Sequence, residues 1–353
     1  MAVSARIGSD RDGKKKYKRP SWFCQEGFFW LAMYNSITDV PGIKVGHYTD
    51  REGMTGCTVV LCEQGAVAGV DVSGSAPGTR ETDVLRPGNL VEKIHAILLS
   101  GGSAFGLQAA GGVMKYLEER GIGHQTTAGK VPIVPAAIIY DLVVGDPKAR
   151  PDAADGYQAC LAATDGEVPE GCVGAGTGAA VGKILGIDKA TKSGVGTASQ
   201  KIGDDVIVAA LAVENAVGDV IHPKTREIIA GPHRADGDGF WSTSELLKGA
   251  QFKGAGFLPN TTIAAVATNA QLDKAQANKL AQMAGAGIAR TVDPYLTMFD
   301  GDVIFALSLG EKKCDLTLLG LIATEVMSTA IVRAITESET MAGISASKVA
   351  TSC

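Results

Sequence analysis

Apolar and polar positions alternate in short runs over most of the chain, and the runs predict a mixed series of strands and helices. Thr58–Cys62 and Ala66–Ser73 read as neighbouring strands joined by Glu63-Gln64-Gly65, a hairpin signal. Ile94–Leu99 is a short apolar strand, after which Gly101-Gly102-Ser103 leads into a helix through Leu107–Glu119. Ile133–Val144 is strand-like and Ala153–Ala163 helical, while Val206–Glu214 and Val217–Ile221 read as a hairpin around Asn215-Ala216. Ser242 to Pro259 is polar and Gly-containing, which predicts an exposed loop. The order then becomes regular: strand Ile263–Thr268, helix Asp273–Ala289 with Asp273 as N-cap, strand Asp302–Leu309, helix Leu316–Thr336. The last helix is strongly apolar but carries Glu325 and Arg333, which fits a core helix better than a membrane span. Several strand pairs followed by two strand–helix units predict layered α/β packing.

Composition narrows this picture. In 353 residues, 45% are hydrophobic and 20% charged, as in a soluble domain with a sizeable core. Its 45 Gly lie within apolar segments rather than in a polar tract, and so imply tight turns and close backbone packing. A net charge of −5 argues against a nucleic-acid partner, which calls for a basic face. Seven Cys without a C-x-x-C pair, and five His without metal-binding spacing, predict free thiols in a reducing, cytoplasmic setting and no metal or cofactor. Residues 1–33 stand apart: Lys14-Lys15-Lys16-Tyr17-Lys18-Arg19 precedes an aromatic stretch that Gln25-Glu26-Gly27 interrupts. The apolar part is too short for a signal peptide, so this segment reads as a disordered or upstream extension ahead of one domain, 34–353.

Candidate chemistry centres on Asn260-Thr261-Thr262-Ile263, at the mouth of an apolar strand. If the Asn260–Thr261 bond breaks, Thr261 gains an α-amine beside its own hydroxyl. That amine, with a reference pKa of roughly 8, can serve as the hydroxyl's base near neutral pH. Asp300-Gly301-Asp302 stands just before the next strand, and its two carboxylates can hold the amine and hydroxyl of an N-terminal Thr. Other motifs are weaker. Gly174-Ala175-Gly176-Thr177-Gly178-Ala179 matches a dinucleotide fingerprint, but Gly182 interrupts the helix that should follow. Ser103 sits where a nucleophile elbow would place it, but Phe105 replaces the required Gly; a structural or ligand-facing role is the reading for Ser103. Asp236-Gly237-Asp238-Gly239 lacks the other ligands of a calcium loop and reads as a turn.

In their order along the chain, these segments resemble the self-cleaving L-aminopeptidase/D-esterase family, which includes β-aminopeptidases and nylon-oligomer hydrolases. The resemblance runs from about Ile37 to Arg333. It rests on Ile37-Thr38-Asp39-Val40-Pro41-Gly42, Arg80-Glu81-Thr82-Asp83, Ser100-Gly101-Gly102-Ser103, Ile139-Tyr140-Asp141, Asn260-Thr261-Thr262 and Phe299-Asp300-Gly301-Asp302. It implies an αββα sandwich, two stacked mixed sheets with helices on both outer faces, cut once by itself into 34–260 and 261–353. It further implies Thr261 as nucleophile, Asp300 and Asp302 as the acidic pair, Lys183 near the nucleophile, Asn215 as oxyanion donor and Tyr140 lining the pocket. The implied substrates are small peptides or amides, and the implied assembly is a tetramer of cleaved protomers, with neither nucleic acid nor membrane as partner. Two other readings remain at this point: an acyltransferase of the ornithine acetyltransferase type, and a non-catalytic binding protein on the same framework.

Overall fold

The computed structural model describes residues 33–203, 205–235, 239–249 and 260–348, together with the backbone of two short strands near the N-terminus. The chain divides into two compact units, Met1–Met33 and Tyr34–Cys353. In the first, Gly8–Ser9 pairs antiparallel with Lys15–Lys16. The rest of the predicted extension lies outside the described residues, as do Asp236-Gly237-Asp238 and the end of the predicted loop, 250–259.

The second unit is organised by one long strand. β1 (Lys44–Asp50) pairs with β2 (Thr55–Val72), which continues without interruption through Glu63-Gln64-Gly65. The expected hairpin is therefore a single bent strand. Its first half pairs with β1 and with β3 (Lys93–Ser100), and the β2–β3 register shifts between Leu61 and Ala66. Its second half pairs with a strand near the C-terminus, so β2 belongs to two layers at once.

The remaining elements fill these layers. α1 (Ala110–Glu119), β4 (Ala136–Ile138) and α2 (Ala153–Leu161) follow β3, and an Asp152–Asp155 capping box starts α2. Only Ala136–Ile138 of the strand-like run 133–144 is extended in a sheet. β5 (Val195–Ile202) and β6 (Val206–Asn215) form an antiparallel pair. The predicted partner of β6, at 217–221, pairs instead with Ile228–Ala230 and Val292–Asp293, so no hairpin forms around Asn215-Ala216. α3 (Thr243–Lys248) occupies part of the predicted loop because Ser242 caps it, accepting the Glu245 N–H. β7 (Thr261–Ala270), α4 (Lys274–Thr291), β8 (Val303–Lys312) and α5 (Leu316–Thr336) then appear as the pattern predicts, and Asp273 caps α4.

Among the described residues, nine strands join into one continuous sheet, ordered β5-β6-β7-β8-β2-β3-β4 and ending on Thr79–Arg80, with β1 on β2. Because β2 bends, the sheet folds over into two stacked halves. Side-chain alternation sorts the cores. Ile263, Ala265, Val213, Phe305, Val60 and Leu99 meet between the halves. Ala264, Val266, Ala210 and Ile304 face outward to α4 and α5. Val59, Leu61 and Leu98 face the opposite way, to α1 and α2. The result is the α/β sandwich of four layers, helix–sheet–sheet–helix. The apolar length of α5 is thereby spent on burial against α4, β5 and β6. Phe305 is fully buried between the sheet halves, so Phe305→Ala should cost about 3–5 kcal/mol, read as a lower urea midpoint.

Candidate active site at the ends of the central strands

Thr261 opens β7 and lies directly across from Asn215, which closes β6. On the other side, Asn260 forms a parallel bridge with Asp300, just ahead of β8. The end of β6 and the starts of β7 and β8 thus converge at one end of the sheet. Thr261, Asn215, Lys183, Asp300 and Asp302 are each at most 4% exposed, so their charges and polar atoms must find partners inside the protein.

Lys183 enters from a short turn of 3-10 helix, Lys183–Leu185, that begins after Gly182. Gly182 has φ +67°, and a Cβ there would meet Gly231 and Pro232 backbone atoms at 2.3–2.5 Å; only Gly allows the turn that aims Lys183 inward. The Lys183 Nζ donates to both the backbone O and the Oδ1 of Asn215, each at 2.8 Å. Asn215 Oδ1 also accepts the Ala180 N–H at 3.2 Å. With its oxygen side occupied, the amide presents Nδ2 the other way, where it donates to the Tyr140 carbonyl at 3.2 Å. One of the two Nδ2 protons is used by that bond, leaving the second for a ligand.

At the candidate nucleophile, the Thr261 hydroxyl donates to the Asn260 carbonyl O at 2.5 Å. Asp302 does not reach Thr261 by a hydrogen bond; its Oδ1 accepts the Thr262 N–H at 2.5 Å. Asp300 Oδ2 accepts the Thr297 N–H at 2.7 Å, and its buried Oδ1 has no hydrogen-bond partner among the described residues. Tyr140 is half-buried. Ser103 is held by its N–H on the Ile139 carbonyl at 3.0 Å, beside Tyr140 in the chain.

Burial dominates the electrostatics. It pushes Lys183 down to about 7, against the pull of Glu214, Asp300 and Asp141. It raises Asp300, and it raises Asp302 well above the usual carboxylate range, with the neighbouring Asp300 adding to the effect.

Two residues without an assigned role in the sequence also belong here. Glu214, fully buried on β6, faces Thr262, whose hydroxyl lies 3.3 and 3.2 Å from its two oxygens. Burial pushes Glu214 up to about 7. Asp141, after Tyr140, accepts from the Thr55 hydroxyl and the Gly102 N–H, both at 2.7 Å, and so anchors the Gly101-Gly102-Ser103 turn to this end of the sheet. A Glu inside an otherwise apolar strand was the available signal for the first. Asp141 stood beside Tyr140 in a motif that gave it no role.

The glycine-rich run at 174–179 is not a strand-to-helix junction. It folds as a 3-10 turn, and its Gly176 and Ala179 carbonyls accept from the buried Lys192 Nζ at 3.2 and 2.8 Å. That role is packing.

Comparison with known proteins places these features in a family. Residues 35–349 match the model of peptidase family S58. An uncharacterized aminopeptidase of Mycobacterium leprae is 41% identical over 352 residues, covering 89% of this chain and 93% of the relative. A 6-aminohexanoate-oligomer endohydrolase of Paenarthrobacter ureafaciens is 33% identical over 317 residues, covering 84% of each chain. In fold, the chain is similar to the L-aminopeptidase D-Ala-esterase/amidase of Ochrobactrum anthropi, described as a variant of the Ntn hydrolase fold. The TM-score is 0.67 at 23% identity, over 87% of each chain. A β-aminopeptidase of Burkholderia sp. gives 0.64 at 23% identity, over 89% of this chain and 90% of that one. The protein is a hydrolase and belongs to peptidase family S58.

Proposed function

We propose that this hydrolase is made as one chain, cuts itself between Asn260 and Thr261, and then works as an N-terminal threonine enzyme. Its substrates would be the amide bonds of small peptides, amino-acid amides or related oligomers, with esters as a second class. The observation that carries this reading is the contact at the cleavage point: a buried Thr261 hydroxyl 2.5 Å from the carbonyl oxygen of the preceding residue. The names of the relatives support the substrate class, since one is called an aminopeptidase and another a 6-aminohexanoate-oligomer endohydrolase.

In the cut enzyme, the Thr261 hydroxyl attacks the substrate carbonyl while the new α-amine takes its proton and passes it to the leaving amine. The second Nδ2 proton of Asn215, fixed by Lys183 on the far side of the amide, holds the developing oxyanion. Asp300 Oδ1 offers an acceptor for the new amine. Lys183 disfavours the protonated amine by like charge. Water then releases the acyl group from Thr261.

Intact-mass analysis with N-terminal sequencing tests the first half. Two chains are expected, one beginning Thr-Thr-Ile-Ala. A single uncut chain that still hydrolyses amino-acid anilides would overturn the self-cleavage. Release of amine from such anilides and from 6-aminohexanoate oligomers tests the second half, and no turnover of either by the cut protein would overturn the substrate class.

A further inference from the structure

The Asn215 Nδ2 donates to the Tyr140 carbonyl and makes no bond to the carbonyl that self-cleavage would attack. The scissile carbonyl has a different partner. The Gly301 N–H donates to the Asn260 O at 2.7 Å, and the Asn260 N–H donates to the Phe299 carbonyl at 3.0 Å. The residue to be cut is therefore laid out as one rung of a parallel ladder against Phe299-Asp300-Gly301. That segment is itself clamped: the Ser73 and Gly74 N–H groups donate to the Asp302 carbonyl at 3.2 and 3.1 Å, and the Ala76 N–H to the Asp300 carbonyl at 2.9 Å.

Position 301 also has no room for a side chain. A Cβ there would lie 2.5 Å from the Ala76 carbonyl oxygen and 3.0 Å from the Thr261 hydroxyl. A backbone donor aimed at the reacting oxygen, held rigidly and kept clear beside the nucleophile, is what electrostatic preorganisation requires.

We infer that the Gly301 backbone N–H is the oxyanion donor for self-cleavage, distinct from the Asn215 amide that serves substrate turnover. The inference rests on the reading that the chain cuts itself at Asn260–Thr261. The Thr261 Oγ bonds to the Asn260 carbonyl carbon, and the carbonyl π electrons move onto the oxygen held by Gly301. Collapse then breaks the C–N bond, and the hydroxyl proton ends on the Thr261 nitrogen, giving an amine and an ester. Water attacks that ester, the ester C–O bond breaks, Asn260 leaves as a carboxylic acid, and the Thr261 oxygen regains a proton from the water.

The test removes one hydrogen-bond donor and adds no bulk. The full chain is assembled with glycolate in place of residue 301, so that an ester oxygen replaces the N–H, and conversion into two chains is followed by intact mass. Cleavage about 10²–10³-fold slower than in the normal chain is expected. Cleavage within threefold of normal would overturn the inference, while no cleavage in the normal chain would overturn self-processing itself. The same ester placed in the Thr261→Ala chain reports folding through its melting transition. If that ester chain does not fold, amide exchange decides: the Gly301 amide should be protected in uncut Thr261→Ala protein and at least 10-fold less so in the cut enzyme. Equal protection in both would overturn the inference.

Discussion

Thr261→Ala should leave a single intact chain on prolonged incubation and reduce amide hydrolysis to background. The substitution removes the hydroxyl that donates to the Asn260 carbonyl and leaves the backbone of β7 unchanged. The site is buried at 3% exposure, and the lost hydrogen bond is to a local carbonyl, so the stability cost should be about 1 kcal/mol. A nearly unchanged melting transition alongside complete loss of cutting would separate chemistry from misfolding. Thr261→Ser keeps the hydroxyl and should still cut. If Thr261→Ala is cut at the same bond, the Thr hydroxyl is not the attacking group, and the Asn260 side-chain amide becomes the suspect.

Lys183→Met should abolish amide hydrolysis as well, but through a different route that stability measurements will reveal. The Lys183 Nζ satisfies two oxygens of Asn215 and sits among Glu214, Asp300 and Asp141. Met has similar length and no donor. It leaves both Asn215 oxygens short of a bond and the buried carboxyls without their cation, which should cost about 3–5 kcal/mol in urea unfolding. The Asn215 amide, no longer held, should lose its orientation toward substrate. Adding Glu214→Gln should recover part of that stability, because it removes a carboxyl that burial already disfavours in its charged form. It should not restore hydrolysis. Strict additivity of the two stability changes would show that Lys183 and Glu214 are not coupled.

Much of the second half of the chain was legible before folding. β7, α4, β8 and α5 follow from apolar runs of the right length and from caps such as Asp273, which are local signals. The errors share one cause. Glu63-Gln64-Gly65 carries turn residues, yet β2 runs straight through it because its two halves find partners far apart in the chain, β3 on one side and β8 on the other. Likewise, the segment after Asn215 does not fold back on β6, because Thr261–Thr268 takes that edge. Strand identity was local, but strand partnership was not.

The site divides in the same way. Thr261, Asp300 and Asp302 could be picked from short motifs, since an Asn-Thr junction at a strand mouth and two nearby carboxylates are chemical statements in themselves. Glu214 could not be given a role from its surroundings in sequence. It follows strand alternation to the face opposite Asn215, and only the β6–β7 register sets it against Thr262. The same register, with the parallel bridge to Asp300, gives the Asn260 carbonyl its Gly301 donor. By itself, then, the sequence determined the succession of elements and the identity of the candidate nucleophile, because propensity, periodicity and functional-group type are properties of neighbouring residues. Tertiary structure alone decided the folding of one sheet into two layers, the meeting of Lys183, Asn215 and Thr261, and the upward pKa shifts of the buried acids. Those depend on desolvation and on distances between atoms far apart in the chain, which exist only once it has closed around them.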